Sequence, residues 1–234
     1  MSERDVDLQY GDDRRFAAPA RGQTLIARLL IDFHRHEGRR AQGFDLSGGE
    51  DSLAQFLPEH VQAARIGDIK GRMQLFDRLI ENDGVEKVID LGHESFATFF
   101  AVMHDIDFAR EAMRRAVAPA VLFVMTPERA AIEAFAALRE GLPAGVLTPL
   151  DNEALGRNRE RGAYARLGHA GPALHVPELA PGLRRQIDNP PASFDDPANL
   201  PDPLAAWLRR IFLEFREFHL RLLLADLQSS LRLA

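Results

Sequence analysis

The hydrophobic positions of this chain follow two alternating spacings, and the alternation predicts an α/β fold. Apolar residues recur three or four positions apart, as in a helix, over residues 25–33, 75–80, 96–103 and 204–223. Gly38 predicts the end of the first of these helices, and Thr126-Pro127-Glu128 predicts the start of a further helix. Short apolar runs of strand length lie at residues 41–46, 85–92, 120–125, 145–148 and 173–176. Because strands that alternate with helices form parallel βαβ units, we expect a mostly parallel sheet that is flanked by helices.

The two ends of the chain depart from this alternation. Residues 1–21 are polar and lack the Val/Ile-rich run expected of a buried central strand, so their place in the sheet stays open. Residues 188–203 are rich in proline and aspartate and predict a surface loop. Residues 203–231 predict one long C-terminal helix. We expect all of these elements to belong to a single domain over residues 1–234.

The predicted C-terminal helix has a wide apolar face. We favour a face that covers the sheet over one that binds a second copy of the chain or a partner protein. Acidic residues on the same helix argue against binding to a membrane surface. The apolar face consists of Leu204, Trp207, Leu208, Ile211, Phe212, Phe215, Phe218, Leu222 and Leu223.

The composition is that of an ordinary globular protein, with 46% hydrophobic and 27% charged residues and no apolar run long enough to span a bilayer. The first five residues are polar and acidic, which predicts no export signal and a cytoplasmic location. The net charge of −6 argues against direct binding to nucleic acid, which depends on many Lys and Arg contacts. The chain contains no cysteine, which excludes disulfides and thiol chemistry.

Residues 17–24, Ala-Ala-Pro-Ala-Arg-Gly-Gln-Thr, stand where a phosphate-binding loop would open the first predicted helix. A working loop reads G-x-x-x-x-G-K-[ST]: backbone N–H groups cradle the phosphates, the lysine neutralises them and the hydroxyl holds magnesium. Gly22 and Thr24 fit this pattern. Ala17 replaces the first glycine and Gln23 replaces the lysine, so the loop lacks the positive charge that strengthens phosphate binding.

Two aspartates end predicted strands, Asp45 after the first strand and Asp90 after the second. The carboxyl ends of parallel strands are where open α/β sheets bind ligands, so both carboxylates are candidates for a metal or nucleotide site. Each has an alternative role as a cap for the segment that follows, and for Asp90 that segment is the helix that contains Ser95 and Met103. Both interpretations stay open.

Three short motifs occur in the order that a nucleotide-binding family uses them: Gly22-Gln23-Thr24, Asp45-Leu46-Ser47 and Val88-Ile89-Asp90. Together they resemble the ParA/MinD-type deviant phosphate-loop ATPases. Residues 89–96, Ile-Asp-Leu-Gly-His-Glu-Ser-Phe, are similar to an element of the conjugal-transfer TraL branch of that family. The resemblance implies a P-loop NTPase-like fold with a nucleotide site at the start of the first helix.

The resemblance also implies roles for individual residues. Gly22, Gln23 and Thr24 would contact the nucleotide, and Pro177 and Glu178 would border its base. Thr24, Asp45 and Asp90 would surround Mg²⁺ if nucleotide binds, and Asp45 would be the catalytic residue near the attacking water. ATP and Mg²⁺ are therefore the implied cofactors of an intact site.

The chain departs from the family pattern at the charges that matter most. The family's signature lysine falls at Ala18, its phosphate lysine at Gln23, and the second aspartate of its D-x-D motif at Ser47. Phosphoryl transfer relies on positioning and charge stabilisation, so the loss of both lysines removes the main catalytic contribution. We therefore expect a pseudo-ATPase without a cofactor, a regulatory or assembly protein in DNA transfer, segregation or positioning. The alternative is a weak Mg-ATP-dependent dimerisation switch with slow hydrolysis, in which Arg21 or a later arginine replaces the lysine.

Other candidate chemistry is weaker. The eight histidines show no metal-binding spacing, which favours surface or capping roles for residues such as His34 and His36. Ser95 lacks the G-x-S-x-G context of a hydrolase nucleophile. Four arginines cluster in a polar stretch that forms either a solvated face or an anion or partner contact. They are Arg157, Arg159, Arg161 and Arg166.

Overall fold

The computed structural model describes residues 22–48, 52–143, 145–155, 164, 173–188 and 193–232. This part of the chain forms eight α-helices and six β-strands. The helices are α1 (Gln23–His36), α2 (Leu53–Phe56), α3 (Ile69–Leu79), α4 (His93–Asp105), α5 (Phe108–Arg114), α6 (Arg129–Gly141), α7 (Pro181–Asp188) and α8 (Asp202–Arg232). The strands are β1 (Arg40–Asp45), β2 (Val61–Ala63), β3 (Val85–Asp90), β4 (Val121–Val124), β5 (Leu147–Asn152) and β6 (Leu174–Val176).

The strands form two small sheets, and every pairing within them is parallel. One sheet has the order β2-β1-β3 and the other has the order β4-β5-β6. The prediction of an α/β fold with parallel strands is confirmed, but the prediction of one sheet is wrong for the described residues, where no ladder joins β3 to β4. The segment 1–21, for which we sought a central strand, lies outside the described residues.

Successive residues of a strand point to opposite sides, so each strand presents side chains on two faces. Helices pack against both of these faces. Phe44 of β1 and Phe123 of β4 pack into a core with α3, α4, α5 and α6. Leu150 of β5 and Leu174 of β6 pack into a second core with α1, α7 and α8. Among the described residues, side-chain packing above and below the strands therefore connects the two sheets, without backbone hydrogen bonds between them.

Helix α1 touches both sheets. Leu29 and Phe33 pack in the core beneath β5 and β6, whereas Ala27 and Ile31 pack against α2, β2 and β3. Its end agrees with the prediction that Gly38 stops it, since Gly38 has a positive φ of 74° and its N–H donates to a carbonyl of the last turn. The apolar stripe that was predicted for α1 is thus part of the surface through which this helix contacts both sheets.

Several elements begin or end at residues other than those predicted. Strand β5 runs from Leu147 to Asn152 rather than over 145–148, because its polar end is buried between β4 and β6. Helix α6 begins at Arg129, with Glu128 rather than Thr126 at its N-cap position. The three-residue strand β2 was not predicted, since only its first residue is buried.

The region expected to be a surface loop contains a buried anchor. Phe194 is fully buried and its ring packs near Trp207, while its N–H donates to the Asp32 carboxylate. In α8, the predicted apolar face covers the second core from Leu204 to Phe218. Leu223, which was placed on that face, is instead 48% exposed, whereas Leu222 packs against the second core. None of the described helices has the length and apolar character that a membrane crossing requires.

Candidate functional site

The N-terminus of α1 lies at the carboxyl ends of the strands. Gly22 precedes the helix in a left-handed conformation, with φ of 108°, and its carbonyl accepts the N–H of Ile26. A Cβ at this position would lie 2.5 Å from Nδ2 of Asn152, the last residue of β5. Both the backbone conformation and the close approach therefore require glycine.

Thr24 and Asp90 form the hydrogen bond that links α1 to β3. The Thr24 hydroxyl donates to Oδ2 of Asp90 over 2.7 Å, across 66 positions of the sequence. Asp90 is only 2% exposed. Burial raises its pKa to about 6, against the opposing effect of the Thr24 hydrogen bond and with a further increase from the charge of Asp45.

Asp45 ends the neighbouring strand, in register with Asp90. Its Oδ1 accepts the backbone N–H and the hydroxyl of Ser47, and its Oδ2 accepts the N–H of Ala54. Burial acts to raise the pKa of Asp45, but these hydrogen bonds outweigh it and hold the pKa below its usual value. The two carboxylates at this edge are thus pushed in opposite directions, with Asp45 the more acidic of the pair.

The loop after β1 is held from a second side by the start of α4. A Cβ on Gly92 would lie 2.8 Å from Cα of Ser47, so glycine permits the close approach of the two segments. The Ser95 hydroxyl donates to the carbonyl of Leu46 over 3.0 Å. This bond gives Ser95 a positioning role. Asp90 does not cap α4, since no side chain accepts a hydrogen bond at the N-cap of that helix and the Asp90 carboxylate binds Thr24 of α1.

A pocket of about 180 Å³ opens beside the first turn of α1. Its two cationic side chains both bind the same carboxylate: Nη1 of Arg28 lies 2.9 Å from Oδ1 of Asp188, and Nε of Arg184 lies 2.6 Å from Oδ2. Arg28 also donates to the carbonyl of Ile187 and stacks 4.0 Å from the ring centroid of Phe56. The pocket is lined by Gly22, Thr24, Leu25, Arg28, Phe56, Arg184 and Asp188.

The residues of this site do not fit a magnesium-bound triphosphate as they stand. Gln23 carries no positive charge to bind a phosphate, and its buried Oε1 has no hydrogen-bond partner among the described residues. The hydroxyl of Thr24 is committed to Asp90, and Asp45 accepts hydrogen bonds at both oxygens. In the described part of the chain, no group of three His, Asp or Glu side chains could hold a metal ion.

The remaining predicted residues lie elsewhere or are not described. The Pro177 carbonyl accepts the indole N–H of Trp207, and the N–H of Glu178 donates to Glu153. Neither residue is among those that line the pocket. The four-arginine cluster at 157–166 falls outside the described residues.

Sequence reasoning missed the polar side chains that α1 buries. Arg28 and Asp32 are 1% and 0% exposed, although their spacing of four residues is typical of a surface ion pair. His34, expected at the surface or in a cap, is also largely buried. The local pattern carried no signal for them, because at about 100° per residue they lie roughly 90° or more from the centre of the apolar stripe of residues 25–33. They are buried because α1 packs into two cores.

The fold and site define an α/β domain with parallel strands and a polar, glycine-dependent junction at the start of its first helix. Comparison with protein-family models, with curated proteins and with solved structures gives no match to this chain.

Substitution of Asp90 by asparagine should stabilise the protein at alkaline pH. A raised folded-state pKa means that burial of the carboxylate is tolerated below pH 4 and becomes costly as the pH rises through 6. Asparagine still accepts the Thr24 hydroxyl and carries no charge, so we expect a gain of about 1–3 kcal/mol at pH 8 that vanishes near pH 4. Urea denaturation at pH 4 and at pH 8 measures this gain in the free energy of unfolding. Asp45→Asn is the matched control, and it should destabilise because the carboxylate that it removes is held by three hydrogen bonds.

Proposed function

We propose that this chain is a ParA/MinD-like, P-loop NTPase-like domain with a degenerate nucleotide site, and that it acts through protein contacts as a regulatory or assembly protein. The likeness is supported by the arrangement of four residues: Gly22 and Thr24 at the start of α1, and two aspartates at the ends of adjacent parallel strands. A role in DNA transfer, segregation or positioning follows from the resemblance of the sequence motifs alone.

One observation carries the proposal that the site is degenerate: its polar groups bind one another. Thr24 pairs with Asp90, Asp45 with Ser47, and both pocket arginines with Asp188. A phosphate would have to displace these contacts without a lysine to attract it, and charge-assisted contacts supply most of the affinity in such sites. The polar groups of the site therefore serve to join α1 to the strands. The function of the protein then depends on its surface, through contacts with other proteins.

Calorimetric titration of Mg-ATP into the full chain tests the proposal. We expect no heat of binding up to about 1 mM nucleotide. Gln23→Lys should bring binding into the measurable range, because it restores a positive charge next to Gly22 and Thr24 at the N-terminus of α1. Gln23→Met, which has a similar length and no charge, is the control and should not bind.

Two results would overturn parts of this proposal. Micromolar binding of Mg-ATP by the unmodified chain, with a shift from monomer to dimer in light scattering, would favour a nucleotide-dependent switch instead. No binding by a folded Gln23→Lys variant would mean that the start of α1 is not a nucleotide site in any form.

A further inference from the structure

Helix α8 is much longer than the core that it covers. It spans 31 residues, which corresponds to about 46 Å. Its buried side includes Leu208, Ile211, Phe215 and Phe218, all packed against α1 and β6 or their neighbours. After Phe218 no described residue of the helix is fully buried.

A second apolar stripe runs along the opposite side of α8. We name it the leucine stripe, and each of its members is about half exposed, from 48% to 59%. Three of them, Leu213, Leu220 and Leu227, are seven residues apart, which keeps them on one side of a helix. The leucine stripe consists of Leu213, Leu220, Leu223, Leu224 and Leu227. A helix that is apolar on two opposite sides is usually buried on both.

We propose that the leucine stripe is a homodimer interface, in which α8 of one chain packs antiparallel against α8 of a second copy. A two-fold axis near Leu220 places Leu220 against its own copy and Leu213 against Leu227 of the partner, so the stripe complements itself. The same axis brings Glu217 close to Arg221 of the partner twice. Both residues flank Leu220, and these oppositely charged pairs favour the antiparallel orientation.

The size of the leucine stripe fits a weak, concentration-dependent dimer. Five half-exposed leucines present roughly 500 Å² of apolar surface, at the upper end of the largest patches found on monomers. Two copies would bury about 1,000 Å², which reaches the lower limit for a specific interface and stays below the standard size of about 1,600 Å². We therefore expect monomer and dimer to exchange at micromolar concentrations.

This inference goes beyond the proposed function, and its test needs no nucleotide. The dimer and the proposed function can therefore each fail independently of the other. Sedimentation velocity of the full chain from about 1 to 200 μM should show a monomer–dimer equilibrium. Leu220→Glu should weaken dimerisation at least about tenfold, because it places two like charges at the two-fold axis. Met73→Glu is the matched control: Met73 lies on α3 and is 61% exposed, so the same replacement there should leave the dimer unchanged.

A charge exchange tests the orientation. Glu217→Arg and Arg221→Glu should each weaken the dimer, and the double variant should restore it, since the pairs re-form with opposite polarity. A chain that stays monomeric at about 200 μM would overturn the proposal, as would a dimer that Leu220→Glu leaves intact or that Met73→Glu disrupts equally. Circular dichroism of each variant confirms that the helix content is retained.

Discussion

Arg28→Ala should destabilise the protein by about 3–5 kcal/mol, because it removes a fully buried side chain together with the hydrogen bonds that it donates. Arg28 is 1% exposed, and it holds Asp188, the carbonyl of Ile187 and the ring of Phe56 together at the start of α1. Alanine leaves the carbonyl without its donor and opens a cavity between α1, α2 and α7. Chemical denaturation at pH 7 measures the loss.

Two further variants separate the effect of the lost charge from the effect of the lost packing. Arg184→Ala removes the other cation bound to Asp188, but its side chain is 42% exposed, so we expect a loss below about 1 kcal/mol. Arg28→Met keeps most of the volume and removes the charge, and it should cost less than alanine because packing is largely retained. An alanine variant as stable as the original protein would contradict the buried position of Arg28.

Acidification should destabilise the protein through His34, which lies between α1 and α8. Its ring is largely buried, 6.2 Å from the ring of His219, and Arg39 donates to that second histidine over 2.7 Å. Burial, followed by the nearby charges of Arg39 and His219, lowers the pKa of His34 to about 3. The unfolded chain binds a proton at about pH 6.5, so stability is complete above that pH and declines as the pH falls toward 3.

The expected contribution of His34 is about 3 kcal/mol between pH 7 and pH 4. Urea denaturation over this range should show a shallower pH dependence for His34→Phe than for the original chain, whatever its stability at pH 7. His36→Gln provides the comparison at an exposed histidine of the same helix. A His34 ring that titrates near pH 6.5 by NMR would contradict this account.

Much of the local structure could be predicted because it depends on spacing along the chain. The periodic leucines of α1 and the 31-residue α8 follow from apolar residues three or four positions apart. The position of Gly38 identified the end of α1 for an equally local reason, its left-handed backbone conformation. Strand β2 and the polar end of β5 could not be predicted, since their burial depends on neighbouring strands rather than on their own residues.

Only part of the candidate site could be predicted from the sequence. Asp45 and Asp90 were correctly placed at strand ends, because parallel strands bring their carboxyl ends to one edge. What each carboxylate binds was not predictable, and the structure assigns Thr24 to one and Ser47 to the other. The expectation that Pro177 and Glu178 border a nucleotide base stays a prediction, and in the fold their backbones bind Trp207 and Glu153.

The sequence by itself determined the α/β class, the parallel βαβ pattern and the absence of a lysine at the start of α1. Each is a matter of residue type or local periodicity, which the chain carries before it folds. Only the tertiary structure decided that the described strands form two sheets, that Arg28 and His34 are buried, and that leucines remain exposed on α8. These features depend on contacts between distant segments, such as Arg28 and Asp188, which are 160 residues apart, and no local pattern specifies such partners.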